Sequence, residues 1–426
     1  MSSSNINNNT FEEIKEYYDN VLNKDKTTYK TSNDEPTPID CVIDILDKIP
    51  EDLWSKKNLK ILDPCAGNGN FSFIAYNKLI PYHSKKDILE NILYFNDINE
   101  DRLNNIKDVF CSNEYKLNIS KSKFEDYKPD IKFDAIIGNP PYAKILDNGK
   151  RASKNHNLIK DFIELALNLL NSNGYLAYIT PDNWMSISDR NTLITRITEL
   201  QIIHLDIHSA KKYFPKVGSS FTYYVIQNNP FYKDINISGV YNGEYYNSQV
   251  KSEVKHYIPL FYNKIVQSIL SKTIDKDNTK FIIKSSSDLH RYTKKNLISN
   301  TQDDEFRFKL IHTPTQICYA NRPHKFQSNW KVFIPTTTYY SKMFIDECGM
   351  TQSILFLICS SKNEAVKLKN ILLHPLFQFI ISITRYGNFN NQRIIQKLPF
   401  YDGDYDKLYE FFNITNDEIE LIKKYI

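Results

Sequence analysis

Leu59-Lys60-Ile61-Leu62-Asp63-Pro64-Cys65-Ala66-Gly67-Asn68-Gly69-Asn70-Phe71 is the stretch that decides the fold. Leu59–Leu62 reads as a short buried strand, and a helical pattern over Asn70–Leu79 begins at the far end of a turn holding two glycines. The chain has only 11 glycines in 426 residues. Two in one turn therefore mark a place where something must come close to the backbone. The turn is not the GxGxxG dinucleotide pattern, and no Gly-Lys-Ser/Thr follows to make a P-loop. An acid entering a glycine-rich turn suits a cationic amino-acid moiety. The plainer alternative is a left-handed turn with a helix cap.

Two further segments repeat this layout. The apolar run Ile92–Phe95 leads to Asn96-Asp97-Ile98-Asn99, which puts Asp97 just past a strand's carboxyl edge. An acid there can hold a ribose diol, and its alternative is helix capping. Phe133-Asp134-Ala135-Ile136-Ile137-Gly138 reads as another buried strand, ending in the elbow Asn139-Pro140-Pro141-Tyr142. Two prolines fix φ and remove two backbone donors. The Pro140 carbonyl and the Asn139 side-chain oxygen remain as acceptors for an exocyclic amino group, and Tyr142 can stack on the ring that carries it.

Further strand patterns at Leu176–Ile179, Ile202–Asp206 and Phe221–Gln227 alternate with helical ones at Ile39–Lys48 and Leu158–Leu170. That alternation predicts a mostly parallel sheet with helices on both faces. Residues 1–30 are polar with one amphipathic stretch, Phe11–Leu22, expected as a helix on a loosely held arm. Residues 31–245 form the α/β domain. Residues 246–426, with aromatic and basic segments and Pro-marked turns, form a second domain of mixed α+β character.

Charge divides the same way. Residues 246–400 carry net +12, while residues 1–245 carry net −4. A basic second half suggests a polyanion partner, although lysine enrichment on a solvated face would give the same balance. The six cysteines are scattered with no CxxC pair, which predicts reduced thiols and no zinc site. No signal peptide or membrane span is apparent, so the expected location is the cytoplasm of a bacterium, or of a host cell if the source is viral.

The order Thr37-Pro38, then Asp63-Pro64-Cys65-Ala66-Gly67-Asn68-Gly69, then Asp97, then Asn139-Pro140-Pro141-Tyr142 resembles the S-adenosylmethionine-dependent DNA adenine-N6 methyltransferases. Within them it resembles the γ group of restriction–modification systems. The resemblance covers residues 31 to 227 and implies a Rossmann-like catalytic sheet followed by a target-recognition domain. It implies S-adenosylmethionine as cofactor, with Thr37, Pro38, Asp63, Pro64, Ala66, Gly67 and Gly69 around its methionine end. Asp97 would hold the ribose and Ile98 would flank the adenine. The family's acid before Phe would contact that adenine. Here Lys123 precedes Phe124, so Asp126 or Glu125 is the candidate. Tyr213-Phe214-Pro215 with Ser219-Ser220-Phe221 resembles the late motif, which gives Phe214 a place on the target base.

The implied reaction is direct transfer of a methyl group to N6 of an adenine flipped out of duplex DNA. Asn139, Pro140, Pro141 and Tyr142 form its catalytic elbow, and no metal is needed. In the second domain Arg322, Lys325, Tyr340, Arg385, Asn388, Asn390 and Arg393 are the candidates for contacting double-stranded DNA. A cognate restriction endonuclease, where one exists, would be a separate chain. The competing readings are N4-cytosine, protein-glutamine or RNA methylation, or a DNA-binding subunit that needs a partner.

Overall fold

The computed structural model describes residues 4–25, 35–142, 158–188, 191–218 and 220–426. The chain forms two compact units, Met1–Trp184 with Thr192–Lys255, and Met185–Asn191 with His256–Ile426.

The first unit is built on nine strands. They are β1 (Ile61–Asp63), β2 (Leu93–Asp97), β3 (Asn118–Lys121), β4 (Phe133–Gly138), β5 (Leu170–Pro181), β6 (Leu200–Ile207), β7 (Phe221–Pro230), β8 (Ile235–Tyr241) and β9 (Glu244–Val250). Their order is β3-β2-β1-β4-β5-β7-β6-β8-β9. Neighbours from β3 to β5 run parallel, and β7 lies antiparallel between β5 and β6. Every residue of β4 and β6 is buried, as expected where helices cover both sheet faces. The order reverses between β1 and β4, so the loops leaving their carboxyl ends diverge and open a crevice there.

The helices confirm the alternating pattern and move some boundaries. The helix after the glycine turn spans Asn70–Leu79, as expected, and its N-cap Gly69 has φ +90°. A side chain at that position would meet Ile106, Phe110 and Tyr18 at 3.1–3.3 Å, so glycine is required for space as well as for conformation. The strand expected at Leu59–Leu62 forms at Ile61–Asp63, which makes Asp63 its terminal residue. Asp97 likewise ends β2 rather than following it.

The N-terminal segment departs from the loosely held arm read from its polarity. Ile14, Tyr18 and Leu22 recur at intervals of one helical turn, and all three are buried in the main core. A capping box between Thr10 and Glu13 starts the helix Phe11–Tyr17. The Tyr18 hydroxyl donates to the Asn68 carbonyl at 3.1 Å, and Asn68 Nδ2 donates to the Leu22 carbonyl at 3.1 Å. The segment is thus bonded to the glycine turn itself.

Residue 245, the expected end of the first domain, lies inside β9, which pairs along its length with β8. The first unit accordingly continues to Lys255. The second unit holds two small sheets. One has the order β10-β12-β11-β15, formed by Ile298–Ser299, Gln316–Ala320, Phe308–Thr313 and Gly349–Met350. The other has β13 (Trp330–Pro335) between β14 (Phe344–Asp346) and β16 (Ile354–Cys359). With the helices Lys264–Lys272, Lys362–Leu372, Pro375–Ser382 and Asn416–Tyr425, this is the mixed α+β character expected. No helix among the described residues is long and apolar enough to cross a membrane.

Candidate active site

The carboxyl ends of β1, β2 and β4 bring the sequence-predicted residues together. Asp63 is 2% exposed. Its Oδ2 accepts weakly from Ser72 Oγ at 3.4 Å, while Oδ1 is buried without a hydrogen-bond partner among the described residues. Burial, and then the nearby charge of Asp97, push its carboxyl well above the ordinary aspartate range. Gly138, at φ +150°, closes the other wall: a side chain there would come within 3.1 Å of Asp63 Oδ1.

The turn is held from below by β2. Ala66 N–H donates to the Asn96 carbonyl at 2.9 Å, and Gly67 N–H donates to Asp97 Oδ2 at 2.8 Å. Asp97 Oδ1 accepts from Asn99 N–H at 2.8 Å. Asn96 belongs to no motif. It is fully buried, and its Nδ2 donates to the carbonyls of Pro64 and Ser122 at 2.9 and 3.1 Å. Its Oδ1 accepts from Ser122 Oγ at 2.8 Å. One side chain of β2 thereby ties together the loops after β1 and β3. The available signal was an asparagine inside the apolar run Leu93-Tyr94-Phe95-Asn96, because a buried amide needs partners.

Ile98 stands 59% exposed beside this cradle. Phe124 is buried edge-on against Phe162, and Glu125 and Asp126 after it are exposed. Of that pair Glu125 is the acid whose charge is felt at the Cys65 thiol. Burial, Asp97, Asp63 and Glu125 together raise that thiol well above its ordinary value, which makes it a poor nucleophile.

At the elbow, Asn139 Nδ2 donates to Thr37 Oγ1 at 2.9 Å. The Tyr142 hydroxyl reaches both Asn139 Oδ1 and the Ile179 carbonyl, the latter at 3.2 Å. Pro140 is buried and Pro141 exposed. The Tyr142 ring lies 6.3 Å from Phe221, which lies 4.8 Å from Phe214, and Phe214 is only 5% exposed. Phe214 also lines a cleft of about 240 Å³ with Asp19, Pro38, Tyr213 and Val217. Ser219 of the late motif lies outside the described residues.

The second unit divides the DNA candidates. Tyr340 is 6% exposed and Asn390 2% exposed, so neither is presented to a ligand. Asn390 Nδ2 donates to the carbonyls of Pro335 and Thr338 at 2.9 and 2.8 Å, and its N–H donates to the Thr336 carbonyl. The amide is used to join two loops. Arg322 is paired with Asp288 at 2.8 Å, and that guanidinium, with the Lys325 backbone N–H, lowers the Asp288 carboxyl to about 2. Lys325, Asn388 and Arg393 are exposed, and Arg385 is half-buried with its guanidinium 5.0 Å above the Tyr339 ring. Tyr339 and Phe389 are 66% and 59% exposed on the two loops joined by Asn390.

Residues 53–214 match the family described as Eco57I restriction-modification methylase. The Type II methyltransferase M.VspI of Vibrio sp. (strain 343) is 28% identical over 183 residues, or 40% of this chain and 42% of that protein. An uncharacterized adenine-specific methylase of Mycoplasma pneumoniae is 27% identical over 203 residues, 45% of this chain and 46% of the relative. The matches therefore span less than half the length of either relative. The DNA-bound ATP-dependent Type ISP restriction-modification enzyme LlaBIII resembles the chain with a TM-score of 0.53 at 13% identity, over 97% of this chain and 40% of that one, a likeness of fold. A methylase family implies S-adenosylmethionine as methyl donor. The residues present fit that group: Asp63 Oδ1, buried without a partner among the described residues, would offer an acceptor to its ammonium, and Asp97 ends the neighbouring strand.

Proposed function

We propose that this chain is a site-specific DNA methyltransferase that modifies N6 of an adenine flipped out of the duplex. The observation that carries the reading is the pairing of two acceptors on adjacent strands. One is a buried carboxylate oxygen with no partner at the end of β1, and the other is a rigid amide-proline elbow at the end of β4. The first suits a cationic amino acid and the second a planar amine. The names of the two curated relatives, one of them an adenine-specific methylase, support the same reading.

The bound cofactor supplies an electrophilic methyl group on a sulfonium. The protein's part is positioning and electrostatics. Asp63 would hold the cofactor's ammonium, Asp97 its ribose hydroxyls, and Ile98 one face of its adenine. Asp126 or Glu125, both exposed after Phe124, is the acid proposed for the adenine's amino group. On the acceptor side the N6 lone pair is delocalised into the ring. Asn139 Oδ1 has a second lone pair beyond the one facing Tyr142, and with the Pro140 carbonyl it accepts the two N6 hydrogens. That draws the nitrogen lone pair out of the ring plane towards the methyl group. Tyr142 supplies an apolar face for the base, and the buried rings of Phe221 and Phe214 pack next to it. In the second unit Lys325, Arg385, Asn388, Arg393, Tyr339 and Phe389 are the residues proposed to hold DNA.

Incubation of the purified chain with labelled cofactor and duplex DNA, followed by single-molecule mapping of modified bases, tests the reading. N6-methyladenine in a defined sequence context is the expected product. Label found on cytosine N4, in RNA or in protein would replace adenine with that acceptor. Cofactor binding without any transfer would favour a subunit that needs a partner.

A further inference from the structure

We infer that Thr37 is a positioning residue for the elbow, and that it acts through Asn139 rather than by gripping the cofactor. The inference deepens the proposed function and rests on it. Thr37 is 4% exposed and sits immediately before Pro38, which caps the helix Ile39–Leu46. It is bonded in two directions. Its hydroxyl meets Asn139 Nδ2 at 2.9 Å, and its carbonyl accepts from Asn70 Nδ2 at 2.8 Å. Asn70 is itself 5% exposed, follows Gly69, and donates also to Asn23 Oδ1 at 3.1 Å. Thr37 therefore links the first helical residue of the glycine turn to the acceptor amide of the elbow, across 102 positions of sequence.

The link has a chemical purpose. The terminal torsion of an asparagine is broad and nearly two-fold, so an unheld amide presents either its oxygen or its NH2 to a ligand. Only the oxygen can accept from an amine. The Thr37 hydroxyl and the Tyr142 hydroxyl grip the Asn139 amide from its two ends and fix its plane. Because the Thr37 backbone is pinned to Asn70, that plane is set relative to the turn that holds the methyl donor. Donor and acceptor are registered to each other through one threonine.

A cofactor-gripping threonine and an amide-positioning threonine respond differently to substitution. In the full-length chain, Thr37→Val removes the hydroxyl and keeps the shape. We expect kcat for DNA methylation to fall about tenfold or more, the scale of one lost hydrogen bond combined with misaligned attack. The cofactor Kd, measured by calorimetry, should stay within about twofold. Thr37→Ser keeps the hydroxyl and should recover most of the rate. A Thr37→Val variant with a weakened cofactor Kd and unchanged kcat would overturn the inference, as would valine and serine variants with equal rates. The Asn139 side-chain amide resonance in asparagine-labelled protein gives a readout without turnover. It should shift in Thr37→Val and hold in Thr37→Ser. An unmoved resonance would sink the positioning role. A shifted resonance in Thr37→Val, found together with a wild-type chain that methylates no DNA, would sink the proposed function alone.

Discussion

The glycine turn with its elbow, and the pair of loops around Asn390, are both places where the sequence offered polar and aromatic residues for a ligand. In the first, those residues meet one another. Asp63, Asp97 and Asn139 lie at the ends of neighbouring strands, and Asn139 is bonded to Thr37. In the second, two of the chosen residues face inward and the exposed aromatics are their sequence neighbours. The difference follows from what specifies each site. The first is built by backbone: strand ends, a positive φ at Gly69, two prolines, and a topology that brings those ends together. The second depends on which of two adjacent side chains points out of an irregular loop, and no periodicity predicts that.

Substitutions can break this comparison, and the largest effect belongs to the backbone-built site. Asn139→Ala should lower kcat by about two to three orders of magnitude, the usual loss for a group that stabilises developing charge, with cofactor binding retained. Full activity in that variant would end the claim that the elbow carries the chemistry.

Asp63 should matter next. Its carboxyl is held above the usual aspartate range by burial and by Asp97. A cationic partner favours the ionised form. Cofactor affinity should therefore rise with pH through the raised pKa and level off above it, and should fall as pH is lowered from neutral sooner than an ordinary carboxylate would allow. Asp63→Asn should weaken binding by about 10- to 100-fold and flatten that slope. Calorimetric titrations at several pH values distinguish this from a carboxylate that merely supports the turn.

Most of the first site was legible because each motif needed only itself and the end of a strand to be recognised. What escaped was whatever depended on distant partners. Asn96 carries no motif, yet its amide bridges the loops after β1 and β3. The N-terminal arm looks polar in composition, but Ile14, Tyr18 and Leu22 form a buried face only once the helix is turned. In the second unit even charge misleads. Lys331 contributes to the basic balance but is fully buried, donating to the carbonyls of Phe326 and Glu347 at 2.6 and 3.2 Å, and burial draws its ammonium down to about 8. Net charge counts such a residue, whereas a ligand does not meet it.

Tyr339→Ala sharpens the surface half of the comparison. The ring is 66% exposed and already stacked by the Arg385 guanidinium. If this face holds DNA, affinity at fixed salt should drop about tenfold, within the range of one lost base–aromatic or cation–π contact. Phe389→Ala should act in the same direction. Unchanged affinity in both variants would remove these loops from the interface.

The smallest effect is expected one residue later. The Tyr340 hydroxyl is buried and has no hydrogen-bond partner among the described residues, a cost the fold carries without return. Tyr340→Phe removes the unpaired group and keeps the ring that fills the space. Stability should be unchanged or higher by up to about 1 kcal/mol in thermal unfolding. DNA affinity should match the wild type. A loss of affinity from Tyr340→Phe would mean that the hydroxyl turns outward when DNA binds, and the loops would then be a surface that rearranges to meet its ligand. Equal affinity, set beside the loss in Tyr339→Ala, would establish that one position along the chain separates a contact residue from a core residue. Beside that boundary the Asn390 amide ties the two loops together through the Pro335 and Thr338 carbonyls.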